Sequence, residues 1–228
     1  MKTGIIVAMQ SEFDLVKSIL KNQKQKQHNH ITFIEGIIEQ NEIVLMKSGI
    51  GKVNAACACV EMINNFAPDI IINTGLAGGI DKNLSVMDIV LASKTSYHDV
   101  WCGEECQIGQ IPDLPAEFEG DKKLIKTAQN IKTDLKIHTG LIVGGDIFVT
   151  DINTLKNIKE KFPSALAVDM ESTAISQVCH LYNVPFLAIR IISDTPGIEN
   201  HYEQYFDFWN KAPEKSVETI KKILQSYS

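Results

Sequence analysis

The fold is decided by the stretch Ile70-Ile71-Ile72-Asn73-Thr74-Gly75-Leu76-Ala77-Gly78-Gly79. Its first four residues predict a strand buried on both faces, and the glycines follow at the carboxyl end of that strand. Glycines at this place allow a ligand to approach the backbone closely. The alternative interpretation is a plain turn that needs positive φ, and the spacing is not that of a dinucleotide-binding motif.

Similar apolar runs alternate with helical patterns along the rest of the chain. The patterns predict strands at 3–9, 31–38, 42–47, 87–93, 138–143, 165–168 and 186–192, and helices at 11–20, 51–65, 121–131, 151–160, 170–183 and about 204–226. This alternation predicts an α/β fold, a three-layer α/β/α sandwich with a central mixed, mainly parallel sheet. Because no linker or repeat divides the 228 residues, we expect a single domain over residues 1–228.

Composition and charge exclude several classes of function. A net charge of −6 with 22 scattered Lys and Arg residues argues against a nucleic-acid surface. The first apolar stretch is cut short by the polar segment 10–12, so neither a signal peptide nor a membrane span is predicted, and we expect a cytoplasmic protein. Five cysteines, an odd number, indicate reduced thiols without disulfides.

Three acids carry the strongest functional signal. Glu12, Glu171 and Asp194 each follow an apolar run at a point where a strand should meet a loop or a helix. In open parallel sheets the ligand crevice lies beyond the carboxyl ends of the strands, so we expect the three side chains in one cleft. Such a cleft fits hydrolysis or group transfer. Acid/base work is preferred to a divalent-ion site, and no metal or organic cofactor is expected.

Three other motifs favour less specific interpretations. The segment 48–53 is superficially similar to a phosphate-binding loop, but Met46 and Val53 stand where glycine and a hydroxyl are required. The segment 98–120 lacks periodicity, which is typical of a loop that serves a site or an interface. Its possible zinc ligands His98, Asp99, Cys102 and Cys106 lack the spacing of a common zinc site, so loop packing is favoured. Phe148 follows a strand and can pack in the core or stack on a flat ligand, and core packing is the commoner outcome.

Seven blocks, taken in order, resemble the 5′-methylthioadenosine/S-adenosylhomocysteine nucleosidases, which have the nucleoside phosphorylase fold. They are Gly4-Ile5-Ile6-Val7-Ala8-Met9 with Glu12, the segment 47–56, Asn73-Thr74-Gly75-x-Ala77-Gly78-Gly79, Tyr97-His98-Asp99, Gly140-Leu141-Ile142-Val143-x-Gly145-Asp146-x-Phe148, Val168-x-Met170-Glu171 and Ile192-Ser193-Asp194. The resemblance spans nearly the whole chain. It implies hydrolysis of the N-glycosidic bond of an adenine thionucleoside to adenine and a 5-thioribose, in methionine salvage.

The resemblance also implies a role for each acid. Asp194 would assist protonation of adenine N7, Glu12 would orient and deprotonate the attacking water, and Glu171 would bind the ribose hydroxyls. These roles suit a reaction in which a cationic sugar develops while the base leaves as a neutral molecule.

Further binding residues follow from the same resemblance. Phe148 would stack on adenine, the backbone of Val149 would read the edge of the base, and Met170 would pack under the ribose. The remaining positions implied near the site are Ala77, Gly78, Arg190 and Ser193.

The resemblance further implies a homodimer, in which residues 98–115 of one subunit close the 5′ pocket of the other. Trp101, Ile108 and Pro112 are the candidates in that loop, which is one residue shorter than the usual pattern. Tyr205 and Phe206 are further candidates for the pocket wall.

Two departures from the family pattern leave substrate preference open. Leu76 stands where many members have serine, and Asp169 where glutamate is common. Methylthioadenosine, adenosylhomocysteine, deoxyadenosine and futalosine-type nucleosides remain alternatives. A phosphorylase is the rival enzyme, but Glu12 would repel phosphate, so water is the expected nucleophile. A non-catalytic nucleoside-binding or storage protein would be favoured if the three acids were scattered.

Overall fold

One mixed β-sheet flanked by helices forms the body of the protein in this computed structural model, which describes residues 1–195, 208 and 213–226. The strands are β1 (Lys2–Val7), β2 (Lys21–His28), β3 (Ile31–Ile38), β4 (Asn41–Lys47), β5 (Ile70–Gly79), β6 (Ile89–Tyr97), β7 (Phe118–Glu119), β8 (Ile137–Gly144), β9 (Ala165–Asp169) and β10 (Phe186–Asp194). The helices are α1 (Gln10–Ser18), α2 (Lys52–Phe66), α3 (Lys122–Gln129), α4 (Ile152–Lys161), α5 (Ser172–Tyr182) and α6 (Pro213–Gln225). The predicted α/β class is therefore confirmed.

The glycine-containing stretch after Asn73 is a strand and not a turn. β5 continues through Gly79, and neither Gly75 nor Gly79 has positive φ. The turn interpretation is therefore wrong. Gly75 and Gly79 are needed because a larger side chain would collide with residues that pack against β5. A Cβ at Gly79 would lie 2.9 Å from Ile192 Cγ2, and a Cβ at Gly75 would lie 2.7 Å from Glu12 Oε1.

The sheet closes on itself along part of its length. Its strand order is β10-β6-β8-β9-β5-β1-β4-β3-β2, and β10 also pairs with β5. β5 pairs with three strands. Residues 70–73 pair with β1, Gly78 and Gly79 pair with β9, and β10 is the third partner. The strands β5, β10, β6, β8 and β9 consequently form a closed ring, and β1, β4, β3 and β2 extend from it as an open sheet. The central layer is thus partly a small barrel.

Helices cover both faces of this sheet. α1 and α3 contribute Phe13, Val16 and Leu124 to the apolar cluster on one face. α2 and α5 contribute Met62 and Ile175 to the cluster on the other face. Burying apolar side chains on both faces explains why the central strands read as continuous apolar runs.

Two strands escaped prediction. β2 (Lys21–His28) is an edge strand that pairs only with β3 among the described residues, and seven of its eight residues are exposed. A strand without a buried face has no apolar alternation, which is the signal that sequence reading uses. Its three lysines suit an edge position because charge discourages pairing with another sheet. β7 (Phe118–Glu119) is two residues long and lies within the segment predicted as loop.

The predicted terminal helix lies partly outside the described residues. α6 accounts for Pro213–Gln225, and Ile223 and Leu224 bury against the α1 face of the sheet. Among helices in the described ranges, none has both the length and the apolar character needed to span a membrane.

Candidate active site

One pocket lies where β1, β5, β9 and β10 end. It is lined by Ala8, Met9, Glu12, Ile50, Leu76, Ala77, Gly78, Phe148, Val168, Asp169, Met170, Glu171, Ser193 and Asp194. The three acids picked out from the sequence therefore converge, although the chain separates them by most of its length. The carboxyl ends of neighbouring strands meet at this edge of the sheet, which is why the local strand-end signal predicted a common cleft.

Glu12 is held by backbone amides on two sides. Its Oε2 accepts hydrogen bonds from Ala8 N at 3.0 Å and Met9 N at 2.9 Å, and its Oε1 accepts one from Leu76 N at 3.3 Å. Burial raises the pKa of Glu12, and these amides and the charge of Arg190 only partly oppose that effect. The carboxylate is therefore fixed in orientation and is a stronger base than an ordinary glutamate.

Gly75 leaves the space that Glu12 occupies. We expect Gly75→Ala to lower turnover at least about tenfold, because the added Cβ, 2.7 Å from Glu12 Oε1, must displace that carboxylate. Steady-state kinetics of Gly75→Ala, Glu12→Gln and the double variant would test this. If the alanine acts through Glu12, it will lower turnover little further in the Glu12→Gln background; independent, additive losses would contradict the explanation.

Glu171 lies at the start of α5 and faces the loop before α2. Its Oε1 accepts a hydrogen bond from Gly51 N at 3.0 Å. Burial and the nearby charge of Asp169 raise the pKa of Glu171 to about 7, against the opposing effects of Arg190 and the Gly51 amide. A carboxylate of this kind changes its protonation close to neutral pH.

The raised pKa of Glu171 predicts a pH-dependent gain in stability for Glu171→Gln. The folded state binds this proton more tightly than the unfolded state, so the carboxyl group destabilises the fold as pH rises from about 4.5 to about 7. We expect the variant to be more stable than the parent at pH 8, by on the order of 3 kcal/mol at most, with little difference at pH 4.5. Urea unfolding at both pH values measures this; an equal difference at both would contradict it.

Arg190 lies beneath the pocket and does not line it. The residue is 1% exposed, and its Nε donates to Asp169 Oδ2 at 2.7 Å. It also donates to Asn73, through Nη1 to the carbonyl oxygen at 3.2 Å and through Nη2 to the side-chain oxygen. Asp169 Oδ1 accepts a further bond from Ser172 Oγ at 2.9 Å. This buried cation is therefore fully engaged and acts on Glu12 and Glu171 through its charge.

Asp194 ends β10 and lines the pocket. It is 2% exposed, and Ser193 Oγ donates to its Oδ1 at 2.6 Å. The same hydroxyl lies 3.4 Å from the carbonyl oxygen of Ala77. Ser193 therefore links Asp194 to β5 through these two contacts, next to the point where Ala77 and Gly78 line the pocket.

Phe148 is not a core residue. It is 48% exposed and lines the pocket, so the core interpretation from its sequence context is wrong. The physical reason is that residues 145–148 have left β8 and lie beyond the strand end, where the buried layer stops. Val149 does not line the pocket, and its side chain is buried in a cluster with Val143 and Ile158.

The loop candidates stand apart from this pocket within the subunit. Trp101, Ile108 and Pro112 are exposed and are not among the residues that line it. Tyr205 and Phe206 lie outside the described residues. Six further lining residues were missed as site residues: Ala8, Met9, Ile50, Leu76, Val168 and Asp169. Leu76 and Asp169 were noted only as departures from the family pattern. Ala8, Met9, Val168 and Asp169 lie in or directly follow an apolar run that leads to a predicted acid, so a signal for these four was present in the sequence.

Comparison with known proteins agrees with this architecture. A family model described as the phosphorylase superfamily matches residues 2–227, and this is the class that the fold and the pocket define. A 5′-methylthioadenosine/S-adenosylhomocysteine nucleosidase of Staphylococcus aureus (strain JH9) is 39% identical over 225 residues, covering 97% of this chain and 98% of the relative. The chain belongs to the 5′-methylthioadenosine/S-adenosylhomocysteine nucleosidase family.

Solved structures of this family superpose closely on the chain. The nucleosidase of Neisseria meningitidis, in complex with methylthio-immucillin-A, has a TM-score of 0.94 and 37% identity, with 99% of each chain covered. That of Colwellia psychrerythraea 34H, in complex with adenine, has a TM-score of 0.93 and 36% identity, covering 99% of this chain and 95% of the other.

Proposed function

We propose that this protein hydrolyses the N-glycosidic bond of 5′-methylthioadenosine and S-adenosylhomocysteine, releasing adenine and the 5-thioribose product, as a step of methionine salvage. The observation that carries the proposal is the convergence of Glu12, Glu171 and Asp194 on one pocket that also exposes an aromatic ring, Phe148. The names of the similar nucleosidases support the same substrates.

Asp194 and Glu12 divide the proton transfers. As the bond between the sugar C1′ and adenine N9 breaks, its electron pair passes to the purine, and Asp194 supplies a proton to N7 so that adenine leaves as a neutral molecule. Water bonds to C1′, and Glu12 accepts the proton that the water loses. The raised pKa of Glu12 strengthens it as a base, and its three amide contacts hold it in place.

The remaining lining residues serve binding. Ionised Glu171 accepts hydrogen bonds from the ribose hydroxyls, and Met170 packs beside the sugar. Phe148 stacks on adenine, a use that fits its exposed ring. Val149 contributes through its backbone, and Arg190 supplies a fixed positive charge beneath the two glutamates.

Water is favoured over phosphate as the nucleophile. Among the described residues that line the pocket there is no lysine or arginine, and three of them are the acids already named, with Asp169 beside them. A phosphate dianion would meet unfavourable charge there.

We also propose a homodimer in the cytoplasm. Trp101 is 60% exposed and Ile108 is 37% exposed, and burial against a partner subunit would remove this apolar surface from water. Residues 98–115 would then close the neighbouring 5′ pocket. The exposed free thiols of Cys57 and Cys102 fit a reducing compartment.

The test is incubation of the purified protein with 5′-methylthioadenosine or S-adenosylhomocysteine in phosphate-free buffer made with ¹⁸O-labelled water. We expect adenine to be released and the label to appear on the sugar. Adenine release that requires phosphate, with formation of a sugar 1-phosphate, would establish a phosphorylase instead.

A further inference from the structure

Lys52, Asp99 and Asp146 form a charged cluster beside the pocket. The proposed mechanism does not use these three residues. Lys52 begins α2, Asp99 follows β6, and Asp146 follows β8. Lys52 Nζ lies 2.8 Å from Asp99 Oδ2 and 3.8 Å from Asp146 Oδ2. None of the three lines the pocket.

Backbone amides make this cluster more than a pair of surface charges. Lys52 N donates to Asp146 Oδ1 at 2.7 Å, and Asp146 N donates to Asp99 Oδ2 at 2.8 Å. Each aspartate therefore binds both another loop and a charged side chain. Hydrogen bonds to ionised groups are about twice as strong as neutral ones, whereas an exposed ion pair alone contributes little.

The surroundings strengthen the cluster further. The side chains of Lys52 and Asp99 are only 25% and 15% exposed, and Lys52 Nζ lies 5.4 Å from the centre of the Tyr97 ring. Burial alone would raise the pKa of Asp99, but the hydrogen bonds from Lys52 and the Asp146 amide lower it below the ordinary value. Asp99 therefore stays ionised at neutral pH.

On the sugar side, the cluster fixes the amide that binds Glu171. Gly51 immediately precedes Lys52, has φ +95°, and donates its N–H to Glu171 Oε1 at 3.0 Å. A Cβ at Gly51 would lie 3.1 Å from Asp146 Oδ1, so this aspartate also packs directly on the Gly51 backbone. Movement of Asp146 would therefore break its hydrogen bond with Lys52 N and its packing against the Gly51 backbone.

On the base side, the same aspartate lies two residues before Phe148. Asp99 fixes the Asp146 amide, and Asp146 in turn fixes the loop that carries the aromatic ring. The cluster thus joins the segment that contacts Glu171 to the segment that presents Phe148.

We propose that Lys52, Asp99 and Asp146 are positioning residues that set Glu171 and Phe148 relative to each other, so that ribose recognition and adenine recognition are coupled. The inference rests on the proposed function, because it assigns the two ends of the pocket to sugar and base. It also explains two sequence motifs that the mechanism left unused. The lysine of the apparent phosphate-binding loop binds carboxylates, and Tyr97-His98-Asp99 supplies one of them together with the ring beneath the lysine.

The test compares Asp99→Asn and Lys52→Met with Lys52→Arg, which keeps the charge. Kinetics use methylthioadenosine and its 2′-deoxy analogue, and calorimetry measures the Kd of adenine without turnover. For Asp99→Asn and Lys52→Met we expect KM and the adenine Kd each to rise about tenfold, the riboside preference to shrink, and kcat to change less than about threefold. Lys52→Arg, which keeps the positive charge, should show much smaller changes in KM, adenine Kd and riboside preference than Lys52→Met does.

The control is Glu117→Gln, which removes the exposed ion pair between Lys94 Nζ and Glu117 Oε2, 2.6 Å apart; neither residue lines the pocket or belongs to the cluster. It should leave all four quantities unchanged. A lower unfolding temperature in the cluster variants with unchanged KM, adenine Kd and riboside preference would overturn the inference and leave a structural role only. A parent protein that binds adenine but does not hydrolyse the nucleosides would overturn the proposed function, while the adenine Kd would still decide the base side of the inference.

Discussion

Replacing Glu12 with glutamine is expected to lower kcat by about a hundredfold or more while leaving the fold intact. The amide oxygen of glutamine can still accept from Ala8 N and Met9 N, which Glu12 Oε2 now does at 3.0 and 2.9 Å, so the start of α1 keeps its hydrogen bonds. Glutamine cannot take a proton from water. The loss should therefore appear in the chemical step, which single-turnover rates of adenine release measure.

Asp14→Asn is the matched control for this variant. It removes a carboxylate from the same helix at an exposed position, and its turnover should equal that of the parent. Turnover of Glu12→Gln within about threefold of the parent would remove Glu12 from the proposed mechanism.

Asp194→Asn is expected to lower kcat to a similar or greater extent, again by about a hundredfold or more, with a much smaller change in KM. Asparagine can still accept the bond that Ser193 Oγ donates at 2.6 Å and can donate to adenine N7, so binding persists. It has no acidic proton to transfer to the leaving base.

A substrate whose leaving group needs no proton separates this role from a general loss of activity. Asp194→Asn should hydrolyse a nitrophenyl 5-methylthioriboside nearly as well as the parent does, whereas Glu12→Gln should lose activity on both substrates. Ser193→Ala, which keeps the acid, should lose less than about tenfold on the nucleoside. Equal losses of Asp194→Asn on both leaving groups would contradict its assignment as the general acid.

Local sequence patterns predicted the elements that carry the site. The strands predicted at 165–168 and 186–192, which precede Glu171 and Asp194, correspond to β9 and β10. These predictions hold because side-chain periodicity reports the burial of a strand without reference to distant residues. β2, which has no buried face, shows the limit of that signal.

The position of Phe148 illustrates a second limit. Its sequence neighbours favour the core, yet the ring is half exposed, because the strand ends before the ring is reached. Where a strand stops depends on its partners in the sheet, and these come from other parts of the chain.

By itself, the sequence determined the α/β class, the order of the elements other than β2 and β7, and the placement of Glu12, Glu171 and Asp194 after apolar strands, since each depends on local apolar patterns. Only the tertiary structure decided how the acids differ. Glu12 accepts hydrogen bonds from three backbone amides and lies beside Gly75. Glu171 lies near the carboxylate of Asp169, which is itself hydrogen-bonded to Arg190. Closure of the ring through β5 and β10 was likewise decided there. The physical reason is that pKa and geometry depend on burial and neighbouring charges, which long-range pairing of strands brings together.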